Sequence, residues 1–246
     1  MKKLMKILAL SLVATALLAL TVSCGSEDDS GLEVVTSVFL PCDFARTIAR
    51  ERASVTQLLP PGSEGHDWEP PAKLLREVAS ADLFIYVGGG GDKWAEKLLS
   101  SADVADAIEA GSLRVLCLYD SLDLTAYYPE AHDGHTHDLD THFWTSPVLA
   151  ADMAEAIASA LSDIDPDGRE SYDAALSELL SSLSALDADF RAATVGGGKL
   201  YFGDKFAFYY LCREYGLDYL SPYAGCTDDA LPIDRVVIEM KAEVRV

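Results

Sequence analysis

Short apolar runs alternate with longer segments of helical periodicity in the first half of the chain. Four runs have the length and the continuous apolar character of strands that are buried in a parallel sheet. These runs span residues 32–40, 54–60, 82–91 and 113–120. The segments between them repeat their apolar positions with helical spacing. This β-α-β-α-β-α-β order predicts a parallel sheet that carries helices on both faces.

A long helix is predicted after this first series. Asp165 and Pro166 have the residue types of a helix N-cap and of the first helical position. The apolar positions that follow alternate steps of four and three, which is the spacing of one helix face. They are Tyr172, Leu176, Leu179, Leu183, Leu186 and Phe190. A helix from 167 to 193 would extend about 40 Å at about 1.5 Å per residue, enough to run down a whole molecule.

A second series of strands and helices follows the long helix. Strands are predicted at 199–203 and 217–223, and a helix is predicted between them at 204–215. A further helix starts near residue 231, and the sequence as given stops at Val246. Two strands and two helices make a poor domain on their own. The second series is therefore not expected to form a domain by itself.

The N-terminal residues have the pattern of a secretory signal peptide. Three lysines precede an apolar run from Ile7 to Val22, and small residues and Cys24 follow it. The sequence "LTVSC" is similar to the lipobox of bacterial lipoproteins, in which the cysteine becomes the lipidated N-terminus. Cys24 is therefore expected to anchor the chain at the cell membrane on the extracytoplasmic face, with 24–31 as a polar tether. The alternative is an ordinary signal peptide, cleaved near Ser23, that leaves a soluble protein.

The net charge of the chain limits the classes of molecule that it is expected to bind. The chain has 19 basic and 40 acidic residues. Loss of a signal peptide at 1–23 would remove three lysines and no acidic residue, which leaves 16 basic residues and a net charge of −24. So acidic a protein is not expected to bind nucleic acid or an anionic membrane surface, and it attracts cations.

Four of the five histidines lie in one acidic segment, "HDGHTHDLDTHFW". Neutral imidazole is the commonest protein ligand for zinc and similar metals, and carboxylates complete such sites. His132, His135 and His137 lie among glycine and aspartate residues without an apolar pattern. Within a loop at 130–142, they are expected to be a mobile auxiliary collector of metal. His142 directly precedes two aromatic residues, which predicts a packed and preorganised ligand.

The fifth histidine, His66, lies in a loop that prolines stiffen on both sides. Pro60 and Pro61 precede it, and Pro70 and Pro71 follow it. The loop follows a predicted strand, so His66 is expected at the carboxyl edge of the sheet, where open α/β folds bind ligands. The alternative for His66 is a structural residue that only makes hydrogen bonds.

Two long segments resemble a known family. "LLPPGSEGHDWEPPAKLLREVASADLFIYVGGG" is similar to the first metal-ligand segment of the zinc/manganese-type solute-binding lipoproteins of bacterial metal ABC transporters. "DTHFWTSPVLAADMAEAIASALSDIDPDGRESY" resembles their second ligand segment, and the acidic histidine-rich loop before it matches the loop of zinc-specific members. The resemblance runs from about Val34 to the C-terminus. It implies that His66 and His142 are metal ligands.

The resemblance also implies the arrangement of the domains. The family has an α/β fold of two parallel-sheet lobes that a long backbone helix joins, with the metal in the cleft between the lobes. In this chain the N-terminal lobe would be 32–145, and 146–195 would be a helical segment that includes the linking helix. Residues 196–246 would be a partial C-terminal lobe.

The sequence departs from the family at the third and fourth ligand segments. The third usually has a histidine directly before an aspartate, whereas this chain has Gly203 before Asp204. Asp204 is expected either to supply an oxygen ligand or to cap the helix that follows. The fourth ligand, an acidic residue, would lie beyond Val246.

The cysteines fall into two groups. Cys42 and Cys226 each follow a predicted strand, in a loop, and the lobe arrangement would put them in different lobes. We hypothesise that both face the cleft, as a disulfide or as thiolate ligands. Cys117 and Cys212 lie in apolar runs and are expected in the core.

These patterns together predict a monomeric, lipid-anchored receptor that captures Zn²⁺ and delivers it to the permease of a metal ABC transporter. Mn²⁺ is the alternative cargo, but the excess of histidine favours zinc because manganese prefers oxygen ligands. No bond would be made or broken. One alternative is a surface zinc buffer or an adhesin-like lipoprotein without a transporter. A zinc-dependent hydrolase is less favoured because the chain has no HExxH run.

Overall fold

The computed structural model describes residues 31–63, 65, 68–89, 91–127, 140–223 and 231–244. The predicted signal peptide and six residues singled out above lie outside these ranges. The six are Cys24, His66, His132, His135, His137 and Cys226. The described residues from Leu32 onward form one compact unit. No helix in the described ranges is long and apolar enough to cross a membrane.

Four parallel strands form the first sheet, as the alternation of apolar runs predicts. They are β1 (Leu32–Thr36), β2 (Ala53–Gln57), β3 (Leu83–Tyr86) and β4 (Arg114–Cys117). Their order across the sheet is β2-β1-β3-β4, and Val34 of β1 pairs with Val55 on one side and Leu83 on the other. Because all four strands are parallel, their carboxyl ends meet at one edge.

Helices cover both faces of this sheet. In chain order they are α1 (Phe39–Ala49), α2 (Lys73–Ala79), α3 (Lys93–Leu99), α4 (Ala102–Glu109), the short α5 (Leu118–Ser121), α6 (Pro147–Ile164) and α7 (Arg169–Ala193). Strand side chains alternate between the faces. Val34 and Ile85 join a core with α1, α6 and the start of α7, whereas Val35 and Phe84 join a core with α2, α3 and α4. The predicted order of helix, sheet and helix is confirmed.

The predicted long helix is α7. A 3₁₀ turn at Pro166–Gly168 precedes it, so the regular helix begins at Arg169, two residues later than predicted. Asp165 caps this turn, and its carboxylate accepts a hydrogen bond from the last amide of the turn at 3.2 Å. The predicted apolar face is fully buried at Tyr172, but Leu186 is 45% exposed. Only the first part of α7 therefore belongs to the core of the first sheet.

A second, smaller parallel sheet follows α7. Its elements are β5 (Lys199–Tyr201), α8 (Tyr209–Glu214) and β6 (Asp218–Leu220), and α9 (Asp234–Glu243) comes after them. Both strands are shorter than predicted. The helix predicted at 204–215 begins only at Tyr209, because three phenylalanines pack edge to face in the irregular segment before it. Asp204 therefore does not cap α8, and that interpretation is wrong.

Cysteines of the described chain carry free thiols. Cys42 is 1% exposed, because α1 begins at Phe39 and carries this residue into the core. The predicted loop position facing a cleft is therefore wrong. Cys212 is buried as predicted, and burial raises its pKa to about 11, which keeps the thiol protonated at neutral pH. Cys117 is partly buried at the end of β4.

Candidate metal centre

His142 lies in the segment that leads into α6. Residues Phe143–Thr145 form a 3₁₀ turn, in which the Thr145 hydroxyl donates a hydrogen bond to the His142 carbonyl at 2.8 Å. Phe143 is fully buried, and the His142 ring packs edge-on against Trp144 with centroids 5.3 Å apart. Only 15% of the His142 side chain is exposed. The packed position predicted for His142 is confirmed.

The carboxylate of Asp140 holds both the backbone and the ring of His142. Its Oδ1 accepts a hydrogen bond from the His142 amide at 2.8 Å and lies 2.6 Å from the ring Nδ1. An ionised carboxylate can only accept hydrogen bonds, so Nδ1 carries a proton. In the neutral ring the lone pair is then on Nε2, which is the atom that can bind a metal. Carboxylates orient metal-binding histidines in this way in zinc proteins.

Asp140 contacts the candidate ligand in two ways, and the sequence analysis did not single it out. The signal for it is the spacing Asp-x-His in "DTH". An aspartate side chain readily accepts a hydrogen bond from the backbone amide two residues later, which turns the chain and brings the carboxylate near the next side chain. The residue type and the spacing could therefore have indicated a carboxylate that supports a ligand.

The residues that flank His66 are anchored to helix α3. The Trp94 indole Nε1 donates a hydrogen bond to the Gly65 carbonyl at 3.0 Å, and its ring meets the ring of Trp68 edge-on at a centroid distance of 4.6 Å. Trp94 is buried among the side chains of α2, α3 and α4, so its position is fixed. His66 lies outside the described residues, but its described neighbours on both sides contact the same buried indole.

The turn between β3 and α3 is held by a buried carboxylate. Asp92 accepts hydrogen bonds from the amides of Val87 and Gly88 at 2.9 and 2.8 Å. Burial raises the pKa of Asp92, and hydrogen bonds that include these two oppose the shift. The carboxylate closes the turn directly after the end of β3, at the carboxyl edge of the sheet.

One histidine segment contacts this turn, and the other contacts the helix that follows it. A Cβ atom added to Gly91 would lie 2.8 Å from the Oγ1 of Thr141, so the backbone of the turn lies against the residue before His142. Trp94, just after the turn, holds the residues beside His66. The two segments therefore approach the same edge of the sheet, where parallel α/β folds bind ligands.

The other predicted ligands do not complete a site within the described ranges. Asp204 is exposed, and its Oδ1 accepts a hydrogen bond from the Lys205 amide at 2.7 Å. Among the residues that the structure describes, no three His, Cys, Asp or Glu side chains lie close enough together to hold a metal ion. Asp204 thus does not join Asp140 and His142 in such a cluster. The described geometry contains one oriented imidazole.

Comparison with known proteins gives a consistent result. Residues 34–245 match the family described as zinc-uptake complex component A, periplasmic. The zinc-binding lipoprotein AdcA of Streptococcus pneumoniae (strain TIGR4) is 30% identical over 243 residues, which cover 96% of this chain and 48% of AdcA. The high-affinity zinc uptake system protein ZnuA of Bacillus subtilis (strain 168) is 30% identical over 227 residues, 88% of this chain and 69% of that protein. The chain thus spans about half the length of AdcA.

A solved structure extends the likeness to the fold. The Zn(II)-bound ZnuA-like domain of Streptococcus pneumoniae AdcA superimposes with a TM-score of 0.68 at 26% sequence identity, over 87% of this chain and 75% of that domain. The predicted α/β class, with parallel sheets and one long helix, is confirmed by the structure and by this likeness. Since the family match extends over most of its length, the chain belongs to the zinc-uptake complex component A family.

Proposed function

We propose that this protein is the extracytoplasmic solute-binding component of a zinc ABC transporter. It captures Zn²⁺ as cargo and delivers the ion to a permease, without making or breaking a covalent bond. The family match and two relatives named for zinc binding and zinc uptake support this function. The structural observation that carries it is the Asp140–His142 pair, which presents Nε2 of an ordered imidazole.

The proposed ligands are His66 and His142. The anchoring of the Gly65 and Trp68 positions on Trp94, next to the turn that contacts the His142 segment, supports a shared site for the two imidazoles. Asp204 is proposed as an oxygen donor on sequence grounds alone.

The histidine-rich loop has an auxiliary role in this proposal. His132, His135 and His137 would collect metal ions beside the site. Imidazole ligands favour zinc over manganese, which prefers oxygen. Because the imidazoles must be deprotonated to bind zinc, capture should release protons and weaken in acid.

The proposal includes a location and partners. Lipidation of Cys24 would hold the protein on the outer face of the membrane, close to its permease, and the AdcA relative is itself named a lipoprotein. The protein is proposed to act as a monomer. The strongly acidic composition would attract the cation and repel nucleic acid.

Calorimetric titration of the purified protein with Zn²⁺ tests the site. We expect the wild type to bind zinc tightly and manganese more weakly, and we expect His142→Ala and His66→Ala each to lose tight binding. Asp123→Ala is the control, since it removes an exposed, negatively charged carboxylate that accepts a hydrogen bond from Thr125. Unchanged affinity in His142→Ala would exclude this residue as a ligand, and a wild type that binds no zinc would reject the function.

A further inference from the structure

Two adjacent tyrosines at the start of α8 bond to the backbone on either side of residues 128–139. The Tyr209 hydroxyl donates a hydrogen bond to the carbonyl of Tyr127 at 2.9 Å. The Tyr210 hydroxyl donates one to the carbonyl of Asp140 at 2.6 Å. The helix that follows β5 thus holds the chain directly before and directly after the stretch that contains three of the histidines.

The Tyr210 phenol is fixed in position. Its side chain is fully buried, and its ring meets those of Tyr127 and Tyr209 edge-on, with centroids 5.2 and 5.6 Å away. The Tyr127 hydroxyl in turn donates a hydrogen bond to the Glu214 carboxylate at the end of α8. A hydrogen bond from a buried and immobilised donor is stronger than an exposed one and is costly to leave unmade.

Asp140 is the point at which these contacts reach the candidate ligand. Tyr210 holds its carbonyl, while its carboxylate is bonded to the amide and the ring of His142. Loss of the bond to the carbonyl would let the peptide after Asp140 rotate. If Asp140 shifted with its freed backbone, its carboxylate would move away from the amide and the ring of His142, and the ring would lose its fixed tautomer.

We propose that Tyr210 is a positioning residue for cation capture, whose hydroxyl fixes Asp140 and thereby directs Nε2 of His142 toward a divalent cation. This inference rests on the proposed function of the site. In this proposal the zinc affinity of His142, which lies next to the first sheet, depends on α8. That helix follows the first strand of the second sheet. Neither the family match nor the pattern of the sequence assigns this role to Tyr210.

The neighbouring tyrosine offers a matched control. Tyr210→Phe and Tyr209→Phe each remove one phenol-to-carbonyl hydrogen bond from the same helix, but only the first bond is made to Asp140. In competition titrations with a chromophoric chelator, we expect Tyr210→Phe to raise the zinc dissociation constant about tenfold, the lower end of effects for residues that support metal ligands. Tyr209→Phe should bind zinc as the wild type does, with a similar loss of melting temperature.

A double-mutant cycle separates positioning from general destabilisation. If Tyr210 acts through Asp140, Tyr210→Phe should cost little further affinity in an Asp140→Ala background. Additive losses in the double mutant would overturn the proposal. Equal losses of affinity in Tyr210→Phe and Tyr209→Phe would overturn it as well.

The ring nitrogens of His142 give a readout that needs no zinc. In the metal-free wild type, ¹⁵N chemical shifts should show one neutral tautomer with the proton on Nδ1, and Tyr210→Phe should show a mixture. An unchanged tautomer would reject the role of Tyr210. If the wild type binds no zinc, the proposed function fails, but these shifts still decide whether Tyr210 positions the ring.

A graded variant covers the case in which Tyr210→Phe does not fold. Incorporation of 4-aminophenylalanine at position 210 keeps a weaker donor at the same place. Its zinc affinity should fall between those of the wild type and of Tyr210→Phe, and below that of the wild type in any case. Wild-type affinity in this variant, together with an unchanged His142 tautomer, would contradict the proposal.

Discussion

A neutral histidine exchanges its proton between two ring nitrogens, and only one of the two tautomers of His142 suits the proposed site. Asp140 selects that tautomer, because its carboxylate accepts from Nδ1 and from the amide of the same residue. The contact also restricts rotation of the ring, which packs edge-on against Trp144. The proposed ligand is therefore preorganised before a cation binds.

Removal of this carboxylate should weaken zinc binding without unfolding the protein. We expect Asp140→Ala to raise the zinc dissociation constant about 10- to 100-fold. Asp140→Asn should have a smaller effect, because its amide oxygen can still accept from Nδ1. Competition titration measures both, with Asp123→Ala as the control for the lost charge. Equal affinities of Asp140→Ala and Asp123→Ala would contradict the orienting role.

A methyl group at Gly91 should also disturb the segment that contains His142. The added Cβ would lie 2.8 Å from Thr141 Oγ1 and 3.3 Å from a methyl of Val87, and Thr141 is itself buried. Overpacking of this kind costs about 1–3 kcal/mol of the free energy of unfolding. Because Thr141 precedes His142, we also expect weaker zinc binding in Gly91→Ala.

Urea denaturation and zinc titration of Gly91→Ala check this prediction. Gly198→Ala is the matched control, since its Cβ would meet Leu217 at 3.4 Å, an ordinary van der Waals distance. If Gly91→Ala has the same stability and zinc affinity as Gly198→Ala, the turn that contains Gly91 does not pack closely against the His142 segment.

Apolar periodicity correctly predicted the secondary-structure elements in which the apolar positions are also the buried positions. The continuous run in β3 is buried at every position, and the face of α7 is buried where Tyr172 packs on α1 and α6. The pattern failed where the same residue types meet other partners. The Phe206 ring stacks on the Tyr219 ring, with centroids 4.2 Å apart, and does not enter a helix. Helix α8 therefore begins later than its apolar residues suggest.

The candidate site was predictable only in part, for a physical reason. The packing of His142 follows from its aromatic neighbours in sequence. The contact from Tyr210 to Asp140 joins residues 70 positions apart, and no local periodicity encodes such a hydrogen bond. Its two partners are an ordinary aromatic residue on a helix and a backbone carbonyl, neither of which is distinctive in the sequence.

An ion pair between Asp165 and Arg52, the residue directly before β2, forms a junction between the start of α7 and the first sheet. The Nε and Nη2 of Arg52 donate hydrogen bonds to Oδ2 of Asp165 at 2.8 and 2.6 Å, and the Tyr172 hydroxyl donates to the same oxygen at 2.6 Å. Burial raises the pKa of Asp165, but the hydrogen bonds from Tyr172 and Arg52 and the guanidinium charge outweigh it, so the pKa is lowered.

This lowered pKa gives stability a defined pH dependence. The ionised carboxylate stabilises the folded state fully above the unfolded-state pKa of about 3.9, and the contribution is lost as pH falls through the lower folded-state pKa. We therefore expect Asp165→Asn to be less stable than the wild type by a constant amount at neutral pH. Below about pH 4 the difference should shrink.

Urea denaturation at a series of pH values measures this difference. Asp167→Asn serves as the control, because Asp167 is an exposed carboxylate in the same 3₁₀ turn. A stability difference between wild type and Asp165→Asn that is the same at pH 7 and pH 3.5 would show that the ionised carboxylate does not stabilise the junction.

Over the whole molecule, α7 connects two regions that are packed very differently. Its first half belongs to the core of the first sheet, whereas its last turns contact α8 through polar and aromatic groups. Arg191 bonds Glu214 at 2.6 Å, and Phe190 stacks on Tyr215 at 5.1 Å. Two of the three residues of β5 are exposed, while β3 is buried throughout. The second sheet therefore depends on few buried apolar contacts.

Hydrogen exchange should reveal this difference in packing. Amides of β3 are expected to exchange only when the whole protein unfolds, whereas those of β5 and β6 should exchange faster through local opening. Mass spectrometry of exchanging backbone segments in the metal-free protein measures both. Equal protection of β3 and β5 would mean that the second sheet opens only together with the first.

Zinc should change this pattern selectively if the proposed site and the role of Tyr210 are correct. At a free zinc concentration of 100 times the dissociation constant, the folded state gains about 2.7 kcal/mol, which slows exchange by global unfolding about 100-fold. Locally opening segments gain protection only if their opening disrupts the site. We therefore expect zinc to protect residues 140–146 and α8, which Tyr210 joins, but not α9, whose Glu243 binds Lys199 of β5 at 2.7 Å. Two outcomes would show that zinc does not bind the His142 imidazole that α8 helps to hold. One is equal protection of α9 and α8, and the other is protection that persists in His142→Ala.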